Sequence, residues 1–293
     1  IMFFENFLAN VIADEEALIA LKSNKIKERA DAKLNKQTIL FKALVNYAKY
    51  GPTSSYTNVL STEDISNLTS KELLKSINDL LLYEHRISYY GPENISDLKI
   101  KLENIHFNKS DLNPLPKKKE YKELDLQKPI VYVVDYDMKQ AEVIMLSKGS
   151  KLNMSEFSKI KFHNEYFGGG MSSIVFQEMR ESKALAYSVY STYTIPKDTN
   201  SSHYLMSYIG TQVDKLSEAM SGMSELLDEM PKAETNMNNA KEAIIQRIRT
   251  ERLTKSKVLS EYEKAQEQGV NYDMRTDLYN QVQAFNVDTL NDF

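Results

Sequence analysis

Arg180 and Tyr187, seven residues apart, are the side chains whose types point most directly to chemistry. A guanidinium and a phenol hydroxyl are donors that can hold a peptide carbonyl and the negative charge developing on its oxygen. By type alone the pair fits equally well an arginine at a helix end, paired with an acid or capping carbonyls, and a ring packed on a sheet. Just upstream lie Gly168, Gly169 and Gly170. A glycine triplet either lets a substrate backbone approach closely or simply makes a turn. No Gly-Lys-Ser or Gly-Lys-Thr follows it, which argues against a phosphate loop. The four histidines are His85, His106, His163 and His203, and none has a second histidine four residues away. With no cysteine in the chain, a thiolate zinc site is impossible. The histidines read as surface or hydrogen-bonded structural groups, and no zinc site is expected within this chain.

The elements that must position the pair follow from the stretch 166–190. After the glycines, Ser172 or Ser173 can cap a helix with Val175, Phe176 and Met179 on its apolar face. From Ala186 the period becomes two, with Tyr187, Val189, Ser191 and Tyr193 on one side of a strand. Arg180 therefore sits near the end of the helix and Tyr187 near the start of the strand.

Upstream, residues 2–50 read as helices, closed by Gly51-Pro52. Thr69 or Ser70 caps another helix, and Arg86–Tyr90 reads as a strand. The stretch 108–128 mixes Pro114, Pro116 and three lysines with acidic residues and reads as a solvated linker. Beyond it, Ile130–Val134, Glu142–Leu146 and His203–Ile209 are strand candidates, with a helix from about Ser155 to Phe167. Asp214 is placed to cap a helix whose Leu216, Met220, Met223, Leu227 and Met230 fit core packing better than an adaptable peptide surface. A long helix with Met237, Ala240, Ile244 and Ile248 on one side follows, and Gly269 marks a break.

The two ends of the chain echo each other. Gly51 and Gly269 both close a long helix, and Leu60 and Leu278 both fall nine residues later. The pattern fits two copies of one α+β module, with the strand matching Arg86–Tyr90 expected just beyond Phe293. The chain itself, opening on Ile1, reads as a fragment.

The run GGGMSS followed by FQEMRESKALAYSVYS resembles the C-terminal domain of M16 zinc metallopeptidases, the insulinase and pitrilysin family. The resemblance implies an α+β fold of repeated M16-type (LuxS/MPP-like) modules, each a mainly antiparallel sheet covered by helices on one face. It places the later half of one module at 1–107, a linker at 108–128 and most of the last module at 129–293. Arg180 and Tyr187 match a family pair presented to substrate, with Gly168–Gly170 beside them. Zinc, water and a catalytic glutamate would come from an N-terminal His-x-x-Glu-His domain. The implied function is the substrate-binding part of a zinc metalloendopeptidase acting on peptides or unfolded proteins in an enclosed chamber, with this piece alone inactive and zinc-free. The rival is a non-catalytic subunit or peptide-binding scaffold paired with an active partner. A bacterial periplasmic or envelope setting is also implied by the resemblance.

The bulk numbers are compatible with this. A chain of 293 residues with net charge −4 and 42% hydrophobic composition suits a soluble protein of about two domains. Near-balanced charge gives no support for a nucleic-acid surface, and no apolar run approaches the ~20 residues of a membrane span.

Overall fold

The computed structural model describes residues 2–80, 82–105 and 111–290. Ile1, Leu81, His106 and the chain end at Phe293 lie outside them. The chain divides into two compact units, Ile1–Lys122 and Glu123–Phe293, the division falling inside the stretch 108–128.

The first unit is helical. Helices α1 (Met2–Ala9) and α2 (Glu15–Leu34) are followed by a π-helical turn, Thr38–Leu44, that runs into α3 (Val45–Tyr50). Asp14 caps α2 by accepting from the Ala17 N–H at 2.9 Å. Ser61 and Asp64 form a capping box at the start of α4 (Thr62–Asn67). Thr69 and Glu72 exchange bonds in the same way at α5 (Ser70–Leu80), where the Glu72 N–H meets Thr69 Oγ1 at 3.3 Å and the Thr69 N–H meets Glu72 Oε2 at 2.8 Å. Ser70 then donates from its N–H and hydroxyl to Glu15 Oε1, joining α5 to α2. Helix α6 spans Ile95–Ile105.

The expected strand Arg86–Tyr90 is not formed; residues 84–90 carry no regular structure. Alternating apolar side chains favour a pleated, half-buried surface rather than extended backbone as such. Here Ile87 and Tyr90 stay exposed, and among the described residues no ladder supplies that surface.

The second unit holds a three-stranded antiparallel sheet in the order β1-β3-β2, with β1 at Gln140–Lys151, β2 at Ser188–Tyr193 and β3 at Ser202–Gln212. The expected strand Ile130–Val134 is irregular, and Val131 and Val133 are about four-fifths exposed. Its composition suits a strand, but most of it stays exposed. The linker reading also needs one change at Glu123, which is buried and accepts from the Ser202 N–H at 2.9 Å, fixing this residue to β3.

One sheet face meets helices. Val189 opposes Ile209 and Ser191 opposes Ser207, so these four share a face, and the two aliphatic residues join the main core. Against them pack α7 (Phe157–His163), which continues through π-helical turns to Gly169, and a second π-helical segment, Phe176–Ser182. Helices α8 (Leu216–Asp228) and α9 (Glu234–Thr250) supply Met223, Met237, Ala240 and Ile244 to the same core, with Met220, Leu227 and Met230 at its margin. The Met stripe is core packing. Asp214 does not cap α8: it lies inside a 3₁₀ turn, Val213–Lys215, that precedes the helix.

Helix α10 (Lys255–Glu267) ends before Gly269, whose φ of 77° mirrors the 71° of Gly51 after α3; α11 (Arg275–Ala284) follows. Both glycines follow their helices at positive φ, a backbone that glycine adopts at little cost.

The turn after α7 shields β2, an outer strand. Asn164 donates to the Tyr193 carbonyl at 2.9 Å and accepts from the Tyr193 N–H at 2.7 Å, standing in for a neighbouring strand. Gly168 then comes so close that an added Cβ would lie 1.9 Å from the Ser191 carbonyl oxygen. None of Gly168, Gly169 and Gly170 has positive φ, so what Gly168 supplies here is steric room rather than conformational freedom. The backbone that approaches Gly168 is that of Ser191.

Gly168→Ala should therefore destabilise the unit by on the order of 3 kcal/mol, because overpacking meets backbone that has nowhere to move. Gly170→Ala, whose Cβ would meet only Glu165 Oε1 at 3.5 Å, should change stability by less than about 0.5 kcal/mol. Urea unfolding of both variants checks this, and equal losses would contradict it.

A second outcome concerns His163, stacked on Phe167 with ring centroids 5.2 Å apart. Burial pushes its imidazole down to about 4. Between about pH 6.5 and 4 the unfolded chain binds a proton that the folded chain does not, so stability falls as pH falls through that window. The expected loss is about 2 kcal/mol, and His163→Gln should flatten it; urea midpoints at pH 7 and pH 4.5 provide the comparison.

Candidate functional site

The segment carrying Arg180 begins at Ser173, which is fully buried. Its hydroxyl accepts from the Phe176 N–H at 3.4 Å and its carbonyl from the Gln177 N–H at 3.0 Å. The end of the segment is tight. The Met179 carbonyl accepts from both Leu185 (2.8 Å) and Ala186 (3.3 Å), folding the chain back within a few residues. Ala184, inside that fold, has φ of 48°, a left-handed conformation that costs a non-glycine residue about 1 kcal/mol.

Three bonds from the end of β3 and the 3₁₀ turn that follows it hold this turn. Thr211 Oγ1 donates to the Leu185 carbonyl at 2.6 Å in a buried position, and Lys215 Nζ donates to the Ala184 carbonyl at 3.0 Å. The Tyr187 N–H bonds the Gly210 carbonyl at 2.9 Å, extending the β2–β3 ladder by one residue. The Tyr187 hydroxyl in turn accepts from the Gln212 side-chain amide.

Arg180 and Tyr187 thus open into one cleft of about 370 Å³, whose wall also includes Glu181, Thr211, Gln212 and Lys215. Arg180 lies over the Phe176 ring, 4.9 Å from its centroid, and its Nε is 3.6 Å from Glu181 Oε1. That ion pair is half exposed on both sides, so it contributes little and leaves the guanidinium facing solvent. Tyr187 is 54% exposed, which does not fit a ring buried in sheet packing. Gly168, Gly169 and Gly170 do not line the cleft. Gln212, Lys215, Thr211 and the strained Ala184 were not marked by any local sequence pattern.

Metal-binding chemistry is not assembled here. Among the described residues no group of three His, Cys, Asp or Glu side chains is placed to hold a metal ion. His203 is buried, with Nδ1 2.7 Å from the Thr194 carbonyl and Nε2 3.2 Å from the Asn153 N–H. His85 lies 2.8 Å from the Tyr83 carbonyl.

Residues 87–247 match the family model described as the peptidase M16 inactive domain. The chain belongs to that family. A Bacillus subtilis (strain 168) protein described as the uncharacterized zinc protease YmxG is 30% identical over 196 residues, 63% of this chain and 44% of the relative. The chain therefore spans less than half the length of that curated relative. Among solved structures, a peptidase M16 inactive domain from Pseudomonas fluorescens superposes with a TM-score of 0.70 at 15% identity, covering 99% of this chain and 69% of the other. A protease from Helicobacter pylori gives 0.66 at 18% identity, covering 96% and 69%. At such identities these two establish the fold, and the M16 α+β architecture is the one described above. The family is one of metallopeptidases, and its zinc is not matched by any cluster among the described residues of this M16 chain.

Thr211→Val keeps the side-chain shape and removes the donor to the Leu185 carbonyl. The expected cost is about 1–3 kcal/mol. Amide exchange should quicken at Leu185 and Ala186 ahead of the sheet centre; unchanged exchange and stability would mean the turn does not depend on this bond.

Proposed function

We propose that the Arg180–Tyr187 cleft is the substrate-binding part of a zinc-dependent endopeptidase acting on peptides or unfolded proteins. The observation that carries the reading is the convergence of these two half-exposed donors, seven residues apart, on one cleft. Zinc belongs, on this reading, to a catalytic half or partner subunit that contributes its own ligands. This chain's residues do a different task. The guanidinium and the phenol O–H hold the carbonyl of the bond to be cleaved, and they bind its oxygen more strongly as negative charge builds there. Neither donor needs to move a proton for this, so the contribution is electrostatic and positional.

The description of the matched family as an inactive domain favours a second reading, a peptide-binding subunit whose active partner does the chemistry. Both readings share the cleft and differ in where the catalytic half resides.

Tyr187→Phe in the intact, zinc-loaded protein should lower kcat by on the order of 10²–10³ with KM and zinc content nearly unchanged. Arg180→Ala should also lower kcat, with an added stability loss from its stacking on Phe176. Steady-state kinetics on a fluorogenic peptide, with zinc analysis alongside, decide the matter. Wild-type kcat in Tyr187→Phe would reduce the tyrosine to packing, and a raised KM at unchanged kcat would assign it to uniform substrate binding. Peptide binding without turnover in every zinc-loaded preparation would favour the subunit reading.

A further inference from the structure

We infer that Gln212 is a positioning residue for the Tyr187 hydroxyl, a role that rests on the function proposed for Tyr187. A phenol oxygen has two acceptor lone pairs and carries one proton. Gln212 Nε2 donates to that oxygen and so occupies an acceptor site, leaving the phenol proton for another partner. Accepting one hydrogen bond also strengthens a hydroxyl as a donor, by roughly 10–30% per bond.

The support is rigid. Gln212 is the last residue of β3, the central strand, and is paired across to Gln140 on β1. Thr211 beside it is buried and holds the Leu185 carbonyl; Gly210 holds the Tyr187 N–H. Tyr187 is therefore attached to one strand at two points, backbone and hydroxyl. Its ring forms part of the cleft wall although more than half of the residue is exposed. Without the Gln212 bond, an exposed tyrosine keeps its backbone place but its hydroxyl can swing about χ1 and χ2. Small misplacements of a group that binds the reacting atoms are costly in rate.

The test is a double-mutant cycle in the intact, zinc-loaded protein with a fluorogenic peptide. Gln212→Ala should lower kcat about 10-fold with KM within about 2-fold, at unchanged zinc content and melting temperature. Added to Tyr187→Phe, it should change kcat less than about 2-fold, because it has no phenol oxygen left to act through. Gln212→Glu conserves size but accepts only, and it draws the phenol proton to itself. Its kcat should fall at least as far as that of Gln212→Ala. An undiminished 10-fold loss in the Tyr187→Phe background, or wild-type kcat in Gln212→Glu, would overturn the assignment. Wild-type kcat in Tyr187→Phe alone would remove the function proposed for the tyrosine, and this inference with it. A slow Tyr187→Phe with additive Gln212→Ala would remove only the role of Gln212.

Discussion

The carbonyl of Met179 receives two backbone N–H groups, and the geometry of the cleft depends on that junction. Helical backbone carrying Arg180 has to become sheet backbone carrying Tyr187 within a few residues. The two donors to one carbonyl bring this about, together with a left-handed Ala184. A longer, relaxed turn would separate the guanidinium from the phenol. The strain at Ala184 is tolerated because its surroundings over-determine it: Met179 is fully buried, Leu185 and Ala186 nearly so, and Thr211 and Lys215 fasten the Leu185 and Ala184 carbonyls.

Behind the turn, a second constraint keeps helix and strand in register. Gly168 sits against the Ser191 carbonyl at a distance no side chain allows, and Asn164 pairs with Tyr193 as if it were sheet. These contacts fix the α7 segment along the outer edge of β2, the strand that Tyr187 leads into. The stripe from α8 and α9 then fills the space over Val189 and Ile209. Site and core therefore share one frame, and a change at Gly168 acts on the cleft through β2.

Much of this was legible from residue pattern. The periods of α8 and α9, the Ser173 cap, the switch to period two at Ala186 and the breaks at Gly51 and Gly269 all reflect local chemistry that the chain carries with it. Arg180 and Tyr187 stood out because a long motif surrounds them. The errors share a cause. Arg86–Tyr90 and Ile130–Val134 have strand composition, but a strand exists only where another strand completes its ladder, and composition does not reveal that partner. Asp214 has a capping side chain, but the chain enters α8 through a 3₁₀ turn in which it is internal. Gln212 was invisible for the complementary reason: it meets Tyr187 only after β2 and β3 pair. An alanine gave no warning of positive φ at 184. The glycine triplet was noticed, though the close approach of Gly168 to the Ser191 backbone was not.

The central claim is that the cleft of Arg180 and Tyr187 receives a peptide carbonyl. Its most direct test is a crystal structure of the intact, zinc-loaded protein with a non-hydrolysable peptide bound. The account predicts one peptide carbonyl oxygen within ~3.2 Å of both Tyr187 Oη and the Arg180 guanidinium, with Gln212 still bonded to the phenol oxygen. A peptide seated elsewhere, with the cleft holding only solvent and both side chains turned from the substrate, would contradict it.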